Sequence, residues 1–480
     1  MRALATPAPP LACRLVALLG GRLHYLLATA TAAVSPILLG PAQVHFIGLS
    51  GYGQIVTVVL LAGMIASIAN LGLSNSIVAK SANMNDPVQY VGSLMLKSAL
   101  PSLGIAALFL AAASTVTWMF PGLSMGGFPS VAAGVCAGFA LSQSRLWLEG
   151  LRAAGKSVEY LALSSTVVLI CPLIATLSLY LESSPSTYLV AWSFMLSLLV
   201  AGKMIRLGWL ARKSTNDHSI RLAELIRFGS PLTLHTLVGT ALAFSDRIAI
   251  AAYISTAGVG QYQLASLAGL ASVLICNGLN LWWLPRVISE PRPTRHRALA
   301  RMLGETTAVV LIYSAILASG LAAFVDFVVS DDTQKSIVVR VGLLLGVAAL
   351  SQPLYLAGTN CLYAAGRTGG LATRSIAANI GQGVGIWMVT DQYGLYGAAL
   401  VVVIAQWIQA ISVGISLFRE SDERKNLAIS MFPTLLGVAL LSWASSAPSA
   451  GSGMVTVQVS LLAVSILAMI RYIRHGAENQ

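Results

Sequence analysis

Two adjacent charged residues, Asp246 and Arg247, stand inside an apolar stretch that runs from 228 to 253. A charge at the centre of a membrane helix costs about 2.5–3.5 kcal/mol on insertion scales, so such residues face a cavity or a partner. Neighbouring helical residues project ~100° apart, so these two satisfy each other poorly. Each needs a group on another helix, or water. The stripe behind Asp246 is His235 and Gly239, and behind Arg247 it is Thr236, Thr240 and Ala243, small or polar as befits a cavity wall. Arg247 has the chemistry to attract an anion, and Asp246 that of a gate or an ion-coupling group. The competing reading is a pair of interhelical ion pairs that hold packed helices in register.

A second group of charges, Arg145, Glu149, Arg152 and Lys156, recurs at spacings of 4, 3 and 4, one face of a helix. It reads either as a cationic entrance, with Glu149 holding Arg145 and Arg152, or as interfacial side chains snorkelling to lipid headgroups. Amides and phenols recur in later apolar runs: Gln352, Tyr355, Asn360 and Tyr363, then Asn379, Gln382, Gln406 and Gln409. These suit hydrogen bonds to sugar hydroxyls or polar contacts between membrane helices. Trp282 and Trp283, beside Arg286, read as a headgroup-level aromatic belt. His45 and His235 are lone histidines, better suited to packing or local hydrogen bonds than to a proton relay. Residues 150–157 match the phosphate-loop pattern of nucleotide hydrolases. That loop works only between a buried strand and a helix N-terminus, whereas an apolar helix precedes it here. The five scattered cysteines signal neither a disulfide framework nor a metal site.

The elements that carry these residues follow from composition. Of 480 residues 56% are apolar and 10% charged, with a mean hydropathy of +0.78, against about 25% charged in soluble domains. Disorder and a soluble multidomain enzyme are excluded, and the long Leu-, Ala- and Val-rich runs exclude an outer-membrane barrel. A crossing takes about 20 apolar residues. Fourteen runs qualify, near 25–47, 53–74, 99–120, 129–148, 159–181, 186–205, 228–253, 259–285, 306–328, 338–361, 371–390, 396–418, 427–446 and 454–471. With both termini cytoplasmic, 26 of the 29 lysines and arginines fall inside or at the inner helix ends, as the positive-inside rule requires. The net charge of +12 is then topological and implies no nucleic-acid partner. Residues 1–24 read as a cytoplasmic lead-in rather than a signal peptide. Every connection is too short to house a catalytic domain.

The chain also repeats. Gly51-Tyr52-Gly53-Gln54 returns as Gly258-Val259-Gly260-Gln261, Asn70-Leu71-Gly72 as Asn277-Gly278, and Ala153-Ala154-Gly155 as Ala364-Ala365-Gly366, at offsets of 207, 206 and 211 residues. Each pair is six spans apart, so the two halves share one orientation, the parallel-repeat design of transporters. The fold expected is all-α and polytopic: helices 1–6 in a lobe at 25–213, helices 7–12 in a lobe at 214–425, a central cavity between them, and two further helices with a cytoplasmic tail at 426–480.

Phe244-Ser245-Asp246-Arg247-Ile248, Gly258-Val259-Gly260-Gln261-Tyr262, Ala364-Ala365-Gly366-Arg367 and Tyr393-Gly394-Leu395-Tyr396-Gly397-Ala398-Ala399 resemble the polysaccharide-transport branch of the multidrug, oligosaccharidyl-lipid and polysaccharide flippase superfamily. The resemblance spans most of residues 25–418. It implies a non-enzymatic flippase in a bacterial inner membrane that turns a lipid-linked oligosaccharide, usually on undecaprenyl pyrophosphate, from the cytoplasmic to the outer leaflet. It implies no cofactor, coupling to a proton or sodium gradient, and membrane lipids, a polysaccharide polymerase and export machinery as partners. A multidrug or metabolite exporter and a peptidoglycan-precursor flippase share the architecture. A membrane-embedded glycosyltransferase would need acid–base groups near a sugar cleft and a sizeable outer loop, and the sequence has neither.

Overall fold

The computed structural model describes residues 11–74, 76–77, 87–119, 126–213, 222–365, 368–420 and 438. Among these every regular element is helical: α1 (Leu11–Ala69), α2 (Pro87–Met119), α3 (Gly127–Ala153), α4 (Ser157–Ser165), α5 (Cys171–Ser178), α6 (Pro185–Lys213), α7 (Leu222–Tyr253), α8 (Thr256–Ser289), α9 (Arg292–Val328), α10 (Asp332–Ala349), α11 (Gln352–Ala364) and α12 (Thr368–Glu420). A single π-helical turn, Thr166–Ile170, joins α4 to α5. Six stretches among the described residues are long and apolar enough to cross a membrane, seven if a bent pair within α8 counts as one. This is a multi-pass membrane protein.

Two of those stretches, Leu27–Ala69 and Thr373–Leu417, are about twice the ~20 residues one crossing needs. Each is broken at one glycine, Gly48 (φ 67°, ψ 175°) in α1 and Gly394 (φ 60°, ψ −149°) in α12. Side chains resist those angles, and there the chain folds back. Gly40 faces the Tyr52 hydroxyl, and Gly385 lies against Val401. The sequence places spans one and two, and eleven and twelve, on either side of these glycines. Span ten is divided into α10 and α11 by a turn at Leu350 and Ser351, before Pro353. Residues 11–24, expected only as a lead-in, already belong to the first helix. Spans thirteen and fourteen lie outside the described residues apart from Val438, which packs against the second of the cores below.

Buried apolar side chains form two main clusters among the described residues. One runs from Ile55 to Leu225. The other runs from Ala249 to Leu417 and also takes in Val44, Tyr52 and Val56 of α1. The hairpin of α1 therefore belongs to the packing of both clusters.

Candidate functional site

The place where the clusters meet is built on the repeated glycines. Gly53 of α1 and Gly260 of α8 cross so closely that a Cβ on Gly53 would overlap the Thr256 carbonyl oxygen, and one on Gly260 that of Leu49. Small residues allow this approach, and membrane helices associate by such close packing. Beside the crossing, Ser50 Oγ and Thr256 Oγ1 share a hydrogen bond of 2.7 Å. The motif noticed in sequence as a repeat is thus a contact between its own two copies. Towards the other end of the helices, Gly229 of α7 packs onto the Gly72 backbone, and Ser76 Oγ donates to the Leu225 carbonyl at 2.7 Å. The two halves touch at both ends.

Just past the crossing sits the charged pair. Asp246 and Arg247 are 4% and 9% exposed, so neither faces lipid. As the ~100° offset between neighbours predicts, their mutual contact is long, 3.6 Å from Nη1 to Oδ2. The stronger partners of Arg247 lie on α8. Nη2 donates to Gln263 Oε1 at 2.9 Å and to Ser266 Oγ at 3.4 Å, and the guanidinium carbon lies 5.1 Å from the Tyr262 ring centroid. That planar cation over an aromatic face adds attraction that a desolvated setting strengthens. Asp246 Oδ1 and Arg247 Nε are buried without a hydrogen-bond partner. On the other side of α7, Trp387 Nε1 of α12 donates to Ser245 Oγ at 2.9 Å. Gln263 also lines a cavity of about 290 Å³ within the first cluster, together with Gln43, Tyr52 and Tyr188. The side chains of His235, Gly239, Thr236 and Ala243 lie outside the described residues.

The charged group from Arg145 to Lys156 differs from what its spacing predicts in two respects. Glu149 pairs with Arg152 at 2.8 Å, while Arg145 is exposed and reaches Ser67 Oγ of α1 at 3.1 Å. Glu149 therefore holds only one of the two arginines. Lys156 is not on the same helix, because α3 ends at Ala153 and the chain turns at Gly155. Lys156 instead pairs with Glu159 of α4 at 3.1 Å. The same turn disposes of the phosphate-loop pattern. Its amides are already used, Gly155 N–H on the Arg152 carbonyl and Lys156 N–H on that of Leu151, a helix C-terminal closure with no cradle for phosphate.

The amides divide. Asn360 is fully buried, and its Nδ2 donates to Asn280 Oδ1 at 2.7 Å and to Met302 Sδ at 3.2 Å. That geometry joins α11 to α8 and α9. Gln352 Nε2 likewise donates to Gln406 Oε1 at 3.1 Å, tying α11 to α12. Gln382 is different, being 7% exposed and lining a groove within α12. Trp283, expected in an interfacial belt, is instead 6% exposed and donates through Nε1 to Glu305 Oε2 at 2.9 Å. Replacing Asn360 by Leu strands the Asn280 amide and will cost about 1–3 kcal/mol. Melting in detergent will fall accordingly, and the Asn280→Leu, Asn360→Leu double variant will regain much of it. A loss of transport at unchanged melting would instead mark Asn360 as a substrate contact.

The described helices thus pack as two clusters that meet through the repeated glycines, in a chain built to cross a membrane many times. Among solved structures the fold is similar to the lipid II flippase MurJ in an inward closed conformation, with 12% identity, a TM-score of 0.64, and coverage of 94% of this chain and 98% of that one. It is also similar to an inward-facing multidrug resistance MATE family transporter of the MOP superfamily (13% identity, TM-score 0.58, 84% and 96% covered) and to the Vibrio cholerae MATE transporter VcmN (12%, 0.54, 84% and 97%). At these identities the likeness establishes the fold. No curated protein sequence matches. The model of the polysaccharide biosynthesis protein family matches residues 18–287, more than half of the chain, and the protein belongs to that family.

Proposed function

We propose that the protein is a flippase that carries a lipid-linked oligosaccharide, built on a polyprenyl pyrophosphate, from the cytoplasmic to the outer leaflet of a bacterial inner membrane. Residues 25–213 and 214–425 act as two lobes that rock about the bound headgroup, residues 426–480 add two helices, and both termini are cytoplasmic. The observation that carries this reading is the crossing of Gly53 and Gly260. It makes a separable seal out of the two copies of one repeat, in a fold shared with a lipid II flippase over nearly the whole chain.

In this reading exposed Arg145, with the Glu149–Arg152 pair near it, offers positive charge where a pyrophosphate would enter. Arg247 is a positioning residue that ties α7 to α8 beside the seal. Buried Asp246 is the group placed to respond to a proton or sodium ion. Transport is driven by such a gradient, and the released product passes to a polymerase and export machinery. In a deletion strain, lipid-linked repeat units will accumulate on the inner leaflet, and purified protein in proteoliposomes will move the same lipid outward. Normal surface polysaccharide in that strain, with export of cationic drugs by the purified protein, would favour the multidrug alternative.

A further inference from the structure

The two halves of α12 enclose a groove of about 550 Å³ that the transport cycle described above does not use. Its floor is small, with Ala377, Gly381 and Gly385 recurring once per turn. Half-exposed Ile404 and Ile408 form the opposite lip. At one end stands Arg374, whose Nη1 donates to the Ser412 carbonyl at 2.8 Å and to Ser416 Oγ at 3.0 Å. The other guanidinium nitrogens engage nothing among the described residues. Part-way along the floor Gln382, more than nine-tenths buried, lines the groove with no hydrogen-bond partner among the described residues.

These features have the dimensions and polarity of one lipid. At 1.5 Å per residue the floor from Arg374 to Gly385 is about 16 Å long, half of the ~30 Å hydrocarbon core. Arg374 lies in the first turns of the eleventh span, at the end that the charge pattern places inside. A chain in the groove would therefore follow the depth of the inner leaflet, with an anion at headgroup level. The arginine fork suits a phosphate bidentately.

We propose that this groove seats the isoprenoid chain of a polyprenyl diphosphate lipid, with the diphosphate on Arg374. The choice of an isoprenoid over a fatty acyl chain rests on the flippase reading, and two features of the groove support it. One small residue per turn leaves a recess for the methyl branch that each isoprene repeat carries. Gln382 brings an amide with no partner among the described residues to an apolar wall, and an isoprenoid offers a weak π acceptor, a carbon–carbon double bond, in every repeat.

The test uses the full-length protein in lipid nanodiscs and a short polyprenyl diphosphate with a benzophenone at its chain end. Photolabel will map to residues 381–385 and 404–408. Undecaprenyl diphosphate will compete at least about tenfold better than phosphatidylglycerol. Open space surrounds Gly381, with nothing within 4 Å of a Cβ built there, so Gly381→Phe will fold and fill the groove, cutting labelling about tenfold. Arg374→Gln will weaken labelling without moving its map. Label elsewhere, an unchanged Gly381→Phe, or equal displacement by phosphatidylglycerol overturns the proposal. Wild-type protein that labels here yet translocates no lipid-linked oligosaccharide overturns the flippase reading and leaves the groove a polyprenyl lipid site. Translocation with an unlabelled groove does the reverse.

Discussion

Cysteines at positions 50 and 256 will form a disulfide that stops transport, and reductant will restore it. The Ser50 and Thr256 oxygens are 2.7 Å apart, so thiols in their places stand within reach of the ~2.0 Å bond. The bond would join α1 to α8 beside the glycine crossing, where the two lobes must part if the site is to open on that side. Transport by the oxidised protein will fall to background, and either single variant will keep its activity. A cross-linked protein that still transports would show that this end stays shut throughout the cycle. Gly53→Val attacks the same contact sterically. Its added carbons meet the Thr256 carbonyl, a backbone atom that cannot rotate away. Overpacking of this kind costs about 1–3 kcal/mol, and here it acts on the closed state, biasing the protein toward separation at that end.

The second large effect is expected at Arg247. Removing the guanidinium takes from the buried Asp246 carboxylate its positive neighbour among the described residues, and breaking a buried pair typically costs about 3–5 kcal/mol. Arg247→Ala will therefore lower melting in detergent and surface abundance together. Combined replacement, Asp246→Leu with Arg247→Leu, removes both buried charges and will be milder than the single change. Arg247→Lys keeps the charge but loses the fork onto Gln263 and Ser266 and the planar stacking on Tyr262, so it will fall between. A stable Arg247→Ala protein without transport would mean that the side chain serves the substrate instead of the packing.

Much of the fold could be read before any coordinates, because the bilayer imposes a length and a polarity on each crossing. Gly48 and Gly394 fall where the sequence turns from one apolar run to the next, and the divided charge on α7 was apparent from its cost. Partners were harder to read. Nothing in the order of residues says which face of α8 meets α7, so neither Gln263 nor Tyr262 could be assigned to Arg247, although both lie close to the repeated Gly260. Trp283 was misplaced because interfacial tryptophans and core tryptophans share the same apolar neighbours. Only the proximity of Glu305 distinguishes them. The four-residue spacing that put Lys156 on a helix face assumed a helix that Gly155 ends. The glycine repeat was visible, but a sequence match cannot say that its two copies touch each other.

Under the proposed topology, with both termini cytoplasmic, the turns at Gly48 and Gly394 face the outside of the cell. On that side α7 connects to α8 through Ile254 and Ser255 alone, and α9 to α10 through Val329–Asp331. At these connections a protease or antibody finds scarcely any free peptide to grip, so intact cells will shield them from digestion. In the flippase reading, a domain that recognises the delivered glycan must approach the bilayer surface itself at these turns, which extend no arm to meet it.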